Sequence, residues 1–277
     1  MKSIHIVEDL LPLAWERAVI ACWEQGESFP TEYDRPGDPN SRDVTAMIHI
    51  KRPFDEPRIH RNFPGGLEDL EKYRSEVIYG VHDHWVDPAA GKWEYTYHER
   101  LFEYRVGERV FDQIDAVVRK LRDVPHTRRA QAVTWQVWND MEIHDPACLQ
   151  RMWFRISEGR LHLNVHFRSN DAFKAAFMNI YAFTELQREV AAQVGVEPGE
   201  YIHISDSFHI YGSYFQDVQG FVRNTQQKDL EGKTFDPQMA REIFVEGCDL
   251  LLAQPDMPEA KKQLVRRRRE ELLRAQT

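Results

Sequence analysis

The residues of this chain best suited to chemistry are Cys148, behind Asp145-Pro146-Ala147, and two groups of arginines on either side of it. Arg128-Arg129 comes before the cysteine, and Arg168-Ser169-Asn170-Asp171 after it. An arginine beside a hydroxyl at a strand-to-helix junction suits a phosphate, because a guanidinium fork and free backbone N–H groups converge on one dianion. On these residues alone, Ser169 or Asp171 as a helix N-cap is the better reading. Most free cysteines pack as small hydrophobes. A nucleophilic role for Cys148 requires a lowered pKa, for which neighbouring guanidiniums are a suitable cause. His82-Asp83-His84 lacks a third ligand at metal spacing and reads as ordinary polar residues, so no metal is expected. The chain contains no Gly-rich phosphate loop, GxSxG elbow or CxxC pair.

Elements of both kinds must position these groups. Apolar residues from about Leu10 to Gln25 recur at helical spacing, and Leu67–Gly80 and Val110–Leu121 predict two further helices. Val44, Ala46, Ile48 and Ile50 alternate as in a strand, and a strand is expected from Ala130 to Trp138. Met152, Phe154 and Ile156 alternate before the turn Ser157-Glu158-Gly159-Arg160, and Leu161, Leu163, Val165 and Phe167 alternate after it. This is the pattern of a β-hairpin with Arg168 on its polar face. A long helix from Ala172 to Val194, a turn at Glu197-Pro198-Gly199 and a short strand Tyr201–Ile204 complete the reading. With 277 residues, no internal repeat and no linker, a single α/β domain is the simplest account.

Composition narrows the class. Basic residues number 36 against 45 acidic, a net charge of -9, which disfavours a polyanion-binding surface. Arg266–Arg269 are therefore read as part of a solvated C-terminal helix, and no nucleic-acid partner is expected. No apolar stretch approaches a membrane span. The acidic residues near the N-terminus do not fit a signal peptide, and three cysteines form no disulfide framework. The expectation is a cytoplasmic protein without a membrane partner.

The order of these groups resembles the thymidylate synthase family over Thr127–Tyr211. The resemblance rests on paired arginines (Arg128-Arg129), a Pro-x-Cys (Cys148), a hairpin, Arg-Ser-x-Asp (Arg168-Ser169-Asn170-Asp171) and an Asn-Ile helix segment at Asn179. It continues in Asp206-Ser207-Phe208-His209-Ile210-Tyr211, close to an Asp-x-His-x-Tyr motif. Upstream, Asp34-Arg35-Pro36-Gly37 is similar to a phosphate loop, and Tyr95–Leu101 is similar to a Tyr-Gly-x-x-x-Arg region.

The resemblance implies an α/β (α+β) three-layer fold with a large mixed sheet at a homodimer interface. It implies a single domain over 1–277 with a helical C-terminal extension from about 235. It also implies folate-dependent one-carbon transfer to C5 of a pyrimidine nucleoside monophosphate. Cys148 would attack C6, and 5,10-methylenetetrahydrofolate would supply the carbon. Arg35, Arg168 and Ser169 would hold the phosphate, with Arg128 and Arg129 reaching it from the other subunit and helping to hold Cys148 as a thiolate. Asn179 would read the base, since an amide can donate to O4 and accept from N3–H of uracil. His209 and Tyr211 would bind the sugar, and Asp171 would address the pterin. By the same resemblance Tyr97 would belong to the catalytic set, as would a water-organising glutamate, either Glu71 or Glu76.

Three departures stand out. Phe167 replaces a usual Gln, Asn170 gives an Arg-Ser-Asn-Asp similar to nucleotide hydroxymethylases, and the C-terminal residues through Ala275-Gln276-Thr277 lack the closing Ala-Pro-Val-type tail. Methylation of a uridylate is the leading expectation. Hydroxymethylation of a uridylate or cytidylate is the alternative, and a catalytically silent nucleotide- or RNA-binding relative is a third.

Overall fold

Among the described residues, alternating apolar residues build nine strands, and helical stripes build ten α-helices. The computed structural model describes residues 1–274. The strands are β1 (Ser3–Glu8), β2 (Glu27–Phe29), β3 (Ser41–Ile50), β4 (Tyr104–Val106), β5 (Arg109–Phe111), β6 (Gln131–Val133), β7 (Leu149–Ser157), β8 (Arg160–Asp171) and β9 (Glu197–Ile210). The helices are α1 (Leu11–Gln25), α2 (Leu67–Tyr79), α3 (Tyr97–Phe102), α4 (Gln113–Asp123), α5 (Val137–Asp140), α6 (Ala176–Val194), α7 (Phe215–Gln226), α8 (Leu230–Lys233), α9 (Pro237–Leu252) and α10 (Glu259–Arg274).

Six strands run in the order β1-β3-β9-β8-β7-β6, with β2 added alongside β3. The sheet is mixed: β1 with β3 and β8 with β9 are parallel, and the remaining pairs are antiparallel. Helices α1, α4 and α6 pack on the sheet, α2 packs on α6, and α9 with α10 packs on α2. The result is three layers: sheet, inner helices and outer helices. The inner sheet face is apolar, with Val44, Ala46, Ile48, Leu163, Val165, Met152 and Phe154 fully buried. Residues of the opposite parity, among them Met47, Asn164, His166, Ile202 and Ile204, stay exposed or half-buried, because period-2 alternation turns them away from the helices.

The expected hairpin is present. Glu158 and Gly159 both have positive φ (52° and 72°), the conformation that matches a two-residue turn to strand twist. Helix α2 stops where Gly80 adopts a left-handed conformation, as a helix terminator should.

Four boundaries differ from expectation. The helix expected over Val110–Leu121 begins only at Gln113, since Val110 and Phe111 pair in β5 with β4 and the Asp112 carboxylate caps Asp115 N–H at 2.8 Å. The strand expected over Ala130–Trp138 ends at Val133, after which Val137–Asp140 turns into α5. Asp140 there is buried against both terminal nitrogens of Arg100. The helix expected from Ala172 starts at Ala176, because β8 continues through Ser169, Asn170 and Asp171 in register with Ser207, Phe208 and His209. The turn expected at Glu197-Pro198-Gly199 is instead the start of β9, fourteen residues long. Parallel pairing with β8 overrides the local turn preference of Pro and Gly.

Candidate active site

The extension of β8 and β9 beyond their expected ends carries two motifs to one place. Ser169, Asn170 and Asp171 on β8 and His209 on β9 meet Asn179 from α6, with Cys148 at the entry to β7 and Tyr211 just past β9. Together with Tyr97 they line a cavity of about 330 Å³. A neighbouring cavity of about 520 Å³ shares Asp171 and Tyr211 and adds Arg35 from the loop before β3. A third, of about 430 Å³, shares Tyr97 and adds Glu76, Trp93, Tyr95 and Asp145. The Arg35 loop is seated where Gly212 meets Pro39: a Cβ at Gly212 would lie 1.8 Å from the Pro39 carbonyl oxygen.

Cys148 is half-buried, the other two cysteines fully so. Burial pushes the Cys148 thiol up, Arg168 acts in the opposite direction and Asp145 adds to the rise. Arg168 is anchored to the backbone around the thiol: Nε donates to Ala147 O at 3.2 Å and Nη2 to Pro146 O at 2.6 Å. Its own N–H donates to Cys148 O at 2.9 Å. Arg128 and Arg129 are exposed just before β6, and neither they nor Arg35 contributes to the thiol's electrostatics. The expected thiolate held by four guanidiniums is therefore not a property of the single chain. Arg168 alone faces the sulfur, and burial outweighs it. Arg168→Ala should accordingly slow the modification of Cys148 by iodoacetamide at neutral pH and move its inflection upward relative to wild type. Mass-spectrometric mapping of the alkylated peptide checks this; an inflection that stays in place or moves downward would contradict it.

The imidazole of His209 is buried, and its Nε2 has no partner among the described residues. Its Nδ1 lies 3.2 Å from Ser207 Oγ, which donates to Asp43 at 2.5 Å. A buried polar atom without a partner is costly, so Nε2 is poised for a group that enters the cavity. Asn179 Oδ1 accepts from Tyr73 OH at 2.5 Å, and its Nδ2 donates to Asn170 Oδ1 at 3.2 Å. Asp171 Oδ1 accepts the N–H groups of Phe173 and Lys174, and Oδ2 accepts from Tyr214 OH at 2.6 Å. Oδ1 is thereby filled by its two donors, and Oδ2 keeps a lone pair for a further one. Burial raises the Tyr211 hydroxyl to about 12, with Asp171 adding to it, so this group stays a neutral donor.

Glu71 and Glu76 separate. Five residues along a helix is a turn of about 140°, so α2 cannot present both to one cavity. Glu76 faces the third cavity, and its carboxylate lies 2.8 Å from His82 Nδ1. Glu71 is wholly buried on the opposite flank, bonded to both Nε and Nη2 of Arg268 at 3.2 Å and facing Arg74. Its expected place in the catalytic set is corrected: it is a structural carboxylate that pins α10 to α2. Arg268 is correspondingly not on a solvated helix face, although Arg266 and Arg269 do pair on the surface with Glu259 and Asp249. Ala275, Gln276 and Thr277, the end of the expected tail, lie outside the described residues.

Sequence reasoning missed Tyr73 and gave Tyr95 and His82 no role of their own. Burial raises the hydroxyl pKa of both tyrosines, with the Cys148 sulfur adding to the rise. Tyr73 stands three residues before Glu76 on the same flank of α2, so its position follows from helical spacing once Glu76 is chosen. The His82 ring stacks on Trp85 with centroids 3.9 Å apart; nothing in the local sequence marks that pairing. Among the described residues no cluster could hold a metal, and no helix is long and apolar enough to cross a membrane.

Comparison with known proteins is consistent with this geometry. A family pattern described as thymidylate synthase matches residues 67–252, which include α2, Cys148, all of β8 and β9, and α9. A protein of Methanosarcina acetivorans named "Putative thymidylate synthase" is 33% identical over 210 residues, covering 76% of this chain and 90% of its own length. Proteins of the same name from Methanocaldococcus jannaschii and Methanothermobacter thermautotrophicus are 32% and 34% identical, covering 72% and 76% of this chain and 86% and 94% of their own. With the pattern matched over more than half of this chain and relatives covered almost end to end, the chain belongs to the thymidylate synthase family.

Proposed function

We propose that this protein transfers a one-carbon unit to C5 of a uridylate, with methylation of dUMP (or UMP) as the outcome. The observation that carries the reading is the convergence, in one cavity, of a half-buried thiol, an amide held by neighbours on both ends and an unpartnered imidazole nitrogen. These are a nucleophile, a base reader and a sugar ligand in the order a nucleotide would need them.

Cys148 Sγ adds to C6, and the C5=C6 electron pair moves toward C5 and O4, making C5 nucleophilic. Departure of the sulfur at the end restores the double bond. The nucleotide dianion, held by Arg168 with Ser169 and Arg35, adds its own charge near the sulfur, so the thiolate needs more positive charge than one chain supplies. Arg128 and Arg129, exposed and away from their own chain's cavity, fit a role in completing the site of a second copy. The outward parity of the sheet offers the surface on which that copy would dock, in a homodimer. Tyr73, Tyr95 and Trp93 along the third cavity are of a kind to stack on a planar pterin, with Glu76 beside them and Asp171, which lines the other two cavities, as polar contacts. 5,10-Methylenetetrahydrofolate, when bound, supplies the carbon and, for the methyl outcome, the hydride that reduces it. Glu76, paired with His82, would organise the water that moves the C5 proton.

Incubation with methylenetetrahydrofolate and each of dUMP, dCMP, UMP and CMP tests this, with products read by mass spectrometry. A gain of CH2 on a uridylate, with dihydrofolate formed, is expected. A gain of CH2O would make the protein a hydroxymethylase, and no product on any of the four would overturn the reading.

A further inference from the structure

Behind the base-reading amide lies a buried chain of polar groups. Asn179 Nδ2 donates to Asn170 Oδ1 at 3.2 Å, Asn170 Nδ2 sits 2.9 Å from His203 Nε2, and His203 Nδ1 lies 3.2 Å from Tyr201 OH. At the cavity end, Tyr73 OH donates to Asn179 Oδ1. His203 and Tyr201 are completely buried on β9, and Asn170 is almost so. Burial drives the His203 pKa down to about 3, with His166 adding to the shift, so the ring is neutral at any working pH. It then has one donor nitrogen and one acceptor nitrogen.

That constraint gives the chain a direction. Nε2 accepts from the Asn170 amide, so Nδ1–H must donate to Tyr201. Asn170 Oδ1 is then turned to Asn179, whose NH2 end must face it, and Asn179 Oδ1 is left for Tyr73. If the His203 proton moved to Nε2, each amide along the line would have to flip, because donors would otherwise face donors. The Asn179 amide has one N–H and one lone pair left for a base. Flipping it exchanges their places. Uracil offers an acceptor at position 4 and a donor at N3; cytosine offers a donor and an acceptor in the same places.

Resting on the one-carbon reading above, we infer that Asn170, His203 and Tyr201 are specificity-positioning residues: the sense of their hydrogen-bond relay fixes which way the Asn179 amide faces and so sets the choice between uracil and cytosine. None of the three needs to touch the reacting atoms. Asn170, the residue that distinguishes the Arg-Ser-Asn-Asp segment here, is the link that carries the sense from β9 to α6.

The test is calorimetric titration of the full chain with dUMP and with dCMP, in the wild type, Tyr201→Phe and Asn170→Ala. Phe at 201 leaves Nδ1–H without an acceptor, which favours the other tautomer and reverses the line. The ratio of the two dissociation constants should move against the wild-type preference by roughly tenfold. In Asn170→Ala nothing orients the amide, and the two constants should fall within a few-fold of each other. A ratio unchanged in both variants, even with both nucleotides weakened equally, overturns the relay while leaving the one-carbon reading intact. If Asn170→Ala does not fold, Tyr201→Phe decides alone. A wild-type chain that binds neither nucleotide overturns the functional reading and the relay with it.

Discussion

Replacing Cys148 by Ala should abolish product formation, lowering turnover by on the order of 10⁴-fold or more, while dUMP affinity stays within a few-fold of wild type. The expected split follows from the site's construction. In the proposed reaction the sulfur would provide the bond to C6, whereas the phosphate, base and sugar contacts would come from Arg168, Asn179 and His209, none of which depends on it for position. Arg168 is held by the carbonyls of Pro146 and Ala147, which the substitution leaves in place. Product assay and equilibrium binding, measured on the same preparation, check both halves. Turnover that survives in Cys148→Ala would remove covalent addition from the mechanism.

The second large effect is on stability. Glu185 on α6 is buried among four arginines: Arg58 Nη1 lies 2.5 Å from its Oε1, with Arg188 at 3.4 Å, Arg74 at 3.5 Å and Arg268 at 4.0 Å. Burial alone would raise its pKa, but Arg58, followed by Arg188, Arg268 and Arg74, holds the carboxyl far below the usual carboxylate range. Removing the charge in Glu185→Gln leaves buried guanidiniums uncompensated and should cost about 3–5 kcal/mol. Because the folded-state pKa is depressed, this contribution is fully present above the unfolded carboxylate pKa and is lost as pH falls through the folded one. Urea denaturation at pH 7 should show the full difference between wild type and variant, and the gap should narrow in strong acid. A difference below about 1 kcal/mol at pH 7 would mean that the cluster is no better than surface pairing.

Legibility in the sequence followed the physics of each element. Helix α1, helix α2 and the β7–β8 hairpin are readable because each buries one face, which imposes a period on the apolar residues. The last three residues of β8 are not readable in that way. Ser169, Asn170 and Asp171 prefer caps and turns, and only pairing with β9, more than thirty positions away, keeps them extended. Pro198-Gly199 misleads for the same reason. The candidate site was legible through residue order and spacing: Cys148, Tyr97, Ser169, Asn170, Asp171, Asn179, His209 and Tyr211 reach one cavity. What order could not convey was which flank of a helix faces inward, and so Glu71 and Glu76 stood level until the buried arginines claimed Glu71. Nor could it convey the protonation of the thiol, which depends on how deeply the sulfur sits.

Helix α2 has Tyr73 and Glu76 on one flank and Glu71 in the Arg268 bond on the other. A thirteen-residue rod fastened along its back transmits displacement end to end like a lever. Shortening the polypeptide so that Arg268 is missing would therefore slacken the wall against which a nucleotide ring must lie, and backbone amides of α2 would exchange with deuterium faster than those of β8. The last turns of the chain serve as the anchor bolt of a surface they never touch.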